Sequence, residues 1–124
     1  MQDEPTPTEL IKAVADFLRT EITPAITGHN AFKLRVGINA LDLVTRQLAL
    51  ESSGDTAEAA RLQQLLGMDG ALIELNRALC ERIARGEVDL QTQGLTEHLW
   101  QTTMDKLAVD QPNYASYKRE LGGK

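Results

Sequence analysis

Apolar residues recur every three or four positions along most of the chain, and the breaks between these runs predict five helical segments. The first opens at Thr6-Pro7-Thr8-Glu9. Thr6 suits an N-cap, Pro7 the first helical position and Glu9 the reciprocal place in a capping box. Leu10, Ile11, Val14, Phe17, Leu18 and Ile22 then make one apolar face, and Pro24 stops the segment.

The second segment, about Asn30 to Glu51, carries two apolar stripes. Phe32, Val36, Leu43 and Leu50 form one; Leu34, Ile38, Leu41 and Leu48 form another, nearly opposite. A helix apolar on two sides needs cover on both, so this segment is expected to be central and the most buried. Gly37 between the stripes is expected to admit a neighbouring helix at close range. Ser52-Ser53-Gly54 breaks the pattern, and Asp55-Thr56-Ala57-Glu58 reads as a second capping box opening a short third helix with Ala59, Leu62, Leu65 and Leu66 inward.

Gly67 ends that helix and Asp69 is placed to cap the next, which carries Leu72, Ile73, Leu75, Leu79, Cys80 and Ile83. Arg82 and Arg85 sit near its C-terminal dipole, with Gly86 beyond. The fifth segment, about Leu95 to Asp110, is expected to turn Leu95, Leu99, Trp100, Thr103 and Leu107 inward before Pro112 closes it. No segment shows the β-branched alternation of a strand. The fold class is therefore all-α: a compact bundle of about five helices, with helix 2 (about 30–51) central, in a single domain over 1–124 whose ends, 1–5 and 121–124, are expected to be disordered.

Composition narrows the function classes. Thirteen Lys and Arg against eighteen Asp and Glu give a net charge of −5, which argues against a nucleic-acid partner. The acidic start, Met1-Gln2-Asp3-Glu4-Pro5, lacks the blocks of a signal peptide, and no apolar run approaches the ~20 residues that span a bilayer. No membrane partner and a cytoplasmic location are the expectations. Cys80, the one cysteine, excludes an intramolecular disulfide and reads as a small buried hydrophobe. His29 and His98 both read as surface residues, and neither has a metal-ligand partner four positions on. HExxH, EF-hand, P-loop and GxGxxG patterns are absent. No catalytic residue, metal ligand or cofactor is assigned, and a non-enzyme is favoured over an enzyme.

Six polar residues stand out as a candidate ligand-binding or buried polar network. Arg35, Asn39, Asp42 and Arg46 line one arc of the second segment at spacings of four, three and four. They read either as a solvated strip with an Asp42–Arg46 pair or as a site where two guanidinium forks hold a carboxylate or phosphate. Asn76 interrupts the apolar face of the fourth segment, Asn39 borders a stripe of the second, and Glu21 falls on the apolar side of the first. Such groups either fix helix register through hydrogen bonds or line a polar pocket. In the tail, Tyr114 is expected to pack back on the bundle. Tyr117, Lys118 and Arg119 form a candidate docking strip.

Four motifs together resemble a known family. They are Pro5-x-x-x-Glu9-Leu10 with Phe17-Leu18-Arg19; Phe32-x-x-Arg35-Val36-x-x-Asn39-Ala40-Leu41; Leu75-Asn76-x-x-Leu79-Cys80 with Gly86; and Lys106-Leu107-Ala108-Val109-Asp110-x-Pro112-x-Tyr114. The pattern, spread over nearly the whole chain, is similar to that of an uncharacterised bacterial all-helical domain. That family occurs alone or fused to aminoglycoside-phosphotransferase-like kinases, and near acyl-CoA dehydrogenase genes. It has no assigned activity, so the resemblance supplies no catalytic residue. It implies an accessory or protein-interaction module for a kinase-like or acyl-CoA-metabolising enzyme; the two-sided apolar second segment adds a homodimer as a further expectation. The alternative from the residues themselves is a binding protein or enzyme for a small anionic ligand in an Arg/Asn-lined pocket.

Overall fold

The computed structural model describes residues 3–122, and all of its regular elements there are helical. Five α-helices follow in order: α1 (Pro7–Phe17), α2 (His29–Leu66), α3 (Leu72–Ala84), α4 (Leu95–Asp110) and α5 (Ala115–Leu121). Two compact units divide the chain, Met1–Leu50 and Glu51–Lys124. The long α2 is the central element of the sequence, contributing residues to both. The predicted disorder at residues 1–2 and 123–124 lies outside the described residues. Leu121, placed in the disordered end by the sequence, is the last residue of α5.

In the first unit α1 begins as the sequence dictates. Thr6 Oγ1 accepts from the Glu9 N–H at 3.2 Å, and the Glu9 carboxylate accepts from the Thr6 N–H at 3.3 Å. The helix does not run on to Ile22 as expected. It widens into a π turn at Leu18–Ile22 and tightens into a 3-10 turn at Thr23–Ala25 around Pro24. Thr23 Oγ1 donates to the Leu18 carbonyl at 3.0 Å, supporting a loop of backbone wider than an α turn. Because a π turn shifts the helical register, Glu21 falls on an exposed surface and not on the apolar side. Arg19 bridges the helices, donating to Asp16 at 2.9 Å and to Asp42 of α2 at 2.6 Å.

Among the described residues of this unit only Ala15 and Ile38 are buried, with Leu34 and Leu41 half-buried on the Ile38 side of α2. Of the second predicted stripe Leu34, Ile38 and Leu41 are packed while Leu48 is exposed; of the first, Phe32, Val36 and Leu50 lie open and Leu43 is half-buried. The expectation that residues 30–51 form the most buried element fails for this reason. Gly37 is also not a close-approach site, since a Cβ built there meets nothing within 4 Å. Gly37→Ala should therefore raise stability by about 0.5–1 kcal/mol through lower unfolded-chain entropy, measured as a higher urea midpoint.

In the second unit the predicted break at Ser52-Ser53-Gly54 is helical, so the second and third predicted segments are one helix. The residues of the supposed capping box have other partners. Thr56 Oγ1 bonds back to the Ser52 carbonyl at 2.8 Å, and Glu58 accepts from Asn76 of α3 at 3.1 Å. α2 ends at Leu66, where Gly67 takes a φ of 65° and its N–H reaches the Gln63 carbonyl. Arg82 lies in the last turn of its own helix, as expected, and its guanidinium also donates to the Leu66 carbonyl at 2.8 Å at the end of α2. The core joins Leu62 and Leu66 to Leu75 and Leu79 of α3, Val88 and Leu95, with Ala59, Leu65, Leu72 and Ala78 against it.

Several faces differ from their predicted orientation. Asp69 is not the cap of α3; the N-cap is Ala71, whose N–H is bound by the Glu74 carboxylate. Ile73, Ile83 and Cys80 point to solvent, so the cysteine is an exposed thiol and not a core hydrophobe. On α4, Leu99, Trp100 and Thr103 are exposed, whereas His98 is buried. The two tyrosines exchange roles: Tyr117 is buried and Tyr114 exposed, which removes Tyr117 from the proposed docking strip.

Candidate functional site

The first unit presents apolar side chains that its own fold leaves uncovered. Leu10, Val14 and Phe17 of α1 are 46%, 50% and 53% exposed, and their i, i+4, i+7 spacing aligns them on one face. That face lies beside the packed one of Ile11, Ala15 and Leu18. On α2, His29 stacks on Phe32 with ring centroids 6.4 Å apart, and the Arg35 guanidinium lies 5.9 Å from the Phe32 centroid. Arg35 is thus spread over an aromatic face, a geometry worth about 0.5–1 kcal/mol at exposed sites.

The six residues singled out by sequence fall in separate surroundings. Arg35 and Asn39 are exposed on the first-unit part of α2, Arg46 is half-buried there, and Asp42 is bound by Arg19. Glu21 is exposed on the π turn. Asn76 belongs to the second unit, where its amide donates to Glu58 Oε1 at 3.1 Å and to the Leu72 carbonyl at 3.2 Å. Its bonds tie α3 to α2, as a register-fixing amide would.

A polar cluster that the sequence did not reveal lies between α2 and α4 of the second unit. Arg61 Nε donates to His98 Nδ1 at 3.3 Å; one Nη2 group reaches Thr102 Oγ1 at 3.3 Å and Asp105 Oδ2 at 3.7 Å. Positions 98, 102 and 105 share one face of α4, so a single guanidinium satisfies three side chains in a row. An arginine is always a donor, which fixes His98 as the neutral tautomer with its proton on Nε2. Burial lowers the His98 pKa below its ordinary value, and the Arg61 charge lowers it further against a smaller raising effect of Glu58.

Beside this cluster an open cleft of about 400 Å³ enters the unit. α2 lines it with Arg61, Gln64 and Leu65; Gln93 and the N-cap Gly94 line it just before α4, and Glu97 and His98 from the first turn of α4. None of the six sequence-derived candidates borders it. The spacing of His98, Thr102 and Asp105 was visible in the sequence, but the arginine that draws them inward is distant along the chain.

The model of a domain of unknown function, DUF6285, matches residues 24–114. The chain belongs to this family. The DUF6285 match contains α2, α3 and α4 whole, and with them Arg35, Asn39, Asp42, Arg46, Asn76 and the Arg61–His98 cluster. α1, with its uncovered apolar face, precedes the match, and α5 follows it. No curated protein and no solved structure matches the chain. No helix among the described residues is long and apolar enough to cross a membrane.

Proposed function

We propose that the chain is a non-catalytic accessory module that docks on a kinase-like enzyme through α1. The observation that carries this reading is the row Leu10, Val14 and Phe17, each about half exposed. Anchors at i, i+4 and i+7 are what a helix presents when it lies in the groove of a partner, and contiguous exposed apolar surface marks such contacts. The resemblance to a domain fused to aminoglycoside-phosphotransferase-like kinases supports the class of partner. An acyl-CoA-metabolising enzyme is the second candidate from the same resemblance, and a second copy of the chain the third.

The test is co-purification with the kinase-like enzyme, comparing the native chain with Val14→Asp/Phe17→Asp. The double variant should keep its helical content and melting temperature, because both side chains are already wet. It should bind the enzyme at least about 30-fold more weakly, as expected on losing a hot-spot anchor. Undiminished capture would reject α1 as the docking helix. A native chain that runs as a dimer on size exclusion, and a double variant that runs as a monomer, would assign the face to a second copy instead.

A further inference from the structure

The cleft beside Arg61 has features of a built binding site that docking through α1 does not use. His98 is only 3% exposed, and its Nδ1 is engaged by Arg61. No described side chain meets its Nε2–H, yet no nitrogen or oxygen of a buried side chain is sealed away without a partner. His98 lines the cleft, and Nε2 is the ring nitrogen that Arg61 does not engage. Arg61 is held by Nε and Nη2 to His98, Thr102 and Asp105, so its orientation is fixed by the fold while Nη1 carries no partner among the described residues. A guanidinium fixed in advance loses little freedom when a ligand arrives.

The charges select the ligand. Gln64 and Gln93 add amide groups to the wall, Leu65 adds an apolar surface, and Glu97 is the one acid among the described residues that line the cleft. With His98 neutral, Arg61 and Glu97 cancel, and Asp105 and Glu58 stand nearby. A phosphate dianion would meet that negative surplus unfavourably. A molecule with one carboxylate and one cationic donor matches both signs at once. The volume sits in the lower part of the range of small-molecule sites, suited to a small metabolite.

We propose that this cleft binds a free α-amino acid, its carboxylate on Arg61 and the Nε2–H of His98 and its ammonium group on Glu97. The side chain lies toward Leu65. Glu97 is exposed, and among the described residues its carboxylate accepts only from Thr96 Oγ1 at 3.2 Å, so it can turn to a ligand.

The test is a titration of the full chain with the standard α-amino acids, and in parallel with acetate and inorganic phosphate, followed by amide and arginine-side-chain NMR shifts. At least one amino acid should move the signals of Gln93, Gly94, Glu97 and Arg61 Nε in a saturable way at millimolar concentration, with acetate and phosphate much weaker. Glu97→Gln and Gln64→Ala change groups the core does not need, and each should weaken that binding about tenfold or more. Arg61→Lys should abolish it, with the amide spectrum of that same variant as the control for structural damage. The proposal is overturned if no amino acid shifts these signals. It is equally overturned if phosphate or acetate binds as well as the best amino acid, or if Glu97→Gln binds like the native chain.

Discussion

Leu75→Ala is expected to cost about 2–5 kcal/mol, a large share of the roughly 5–15 kcal/mol that holds a domain folded. Leu75 is fully buried and lies among Leu62, Leu66, Leu79, Val88 and Leu95. Those neighbours come from three helices and a turn, and Arg82 and the Asn76–Glu58 bond further fix α3 against α2. The side chains around Leu75 therefore have little freedom to collapse into the space that three lost carbons leave, and the cavity term adds to the transfer term. Ile73→Ala on the same helix removes a side chain that is 69% exposed and should change stability by less than about 0.5 kcal/mol. Urea unfolding of the two variants measures the contrast. Equal effects would mean that α3 faces the core with a different side.

The second large effect is a loss of stability in mild acid. His98 is held neutral in the folded chain, first by burial and then by the Arg61 charge beside it, with Glu58 opposing. Its pKa in the fold lies below the unfolded value of about 6.5. Between these two values the unfolded chain binds a proton that the folded chain refuses, so unfolding gains as the pH falls. The contribution is fully present above the unfolded value, declines as the pH drops below it, and levels off beneath the folded value. Protonation would also put a second cation 3.3 Å from the Arg61 guanidinium and remove the lone pair that Arg61 Nε uses. Asp105 and Glu97 on α4 and Glu58 on α2 soften this clash without replacing the lost bond. In His98→Asn the amide oxygen keeps an acceptor near the Nδ1 position and cannot titrate. Its urea midpoint should vary less between pH 7 and 5 than that of the native chain, and parallel curves would exclude His98 as the source.

How far the sequence could be read depends on whether the deciding partner is near in the chain. The cap of α1 is local, with Thr6, Pro7 and Glu9 in one turn, and it forms as written. The Ser52-Ser53-Gly54 run is locally a helix breaker as well, yet the helix passes through it. Leu62 and Leu66 must reach the core, and Glu58 is claimed by Asn76 from 18 residues away. Gly54 weakens such a helix by about 1 kcal/mol, which burial of two leucines outweighs. α4 misled for a related reason. Hydrophobicity placed Leu99 and Trp100 inside, but Arg61, 37 residues before His98, makes the polar face the inner one. The candidate arc of Arg35, Asn39, Asp42 and Arg46 is one face of a helix, as its spacing requires. Its acid is drawn to Arg19, which no spacing rule within α2 would show.

The open thiol of Cys80 gives the protein a built-in attachment point. A maleimide dye placed there would label one position on α3 without any engineered mutation. Fluorescence anisotropy of that single label would then test whether the kinase-like enzyme proposed as partner binds, and alkylation by itself should leave the melting temperature unchanged.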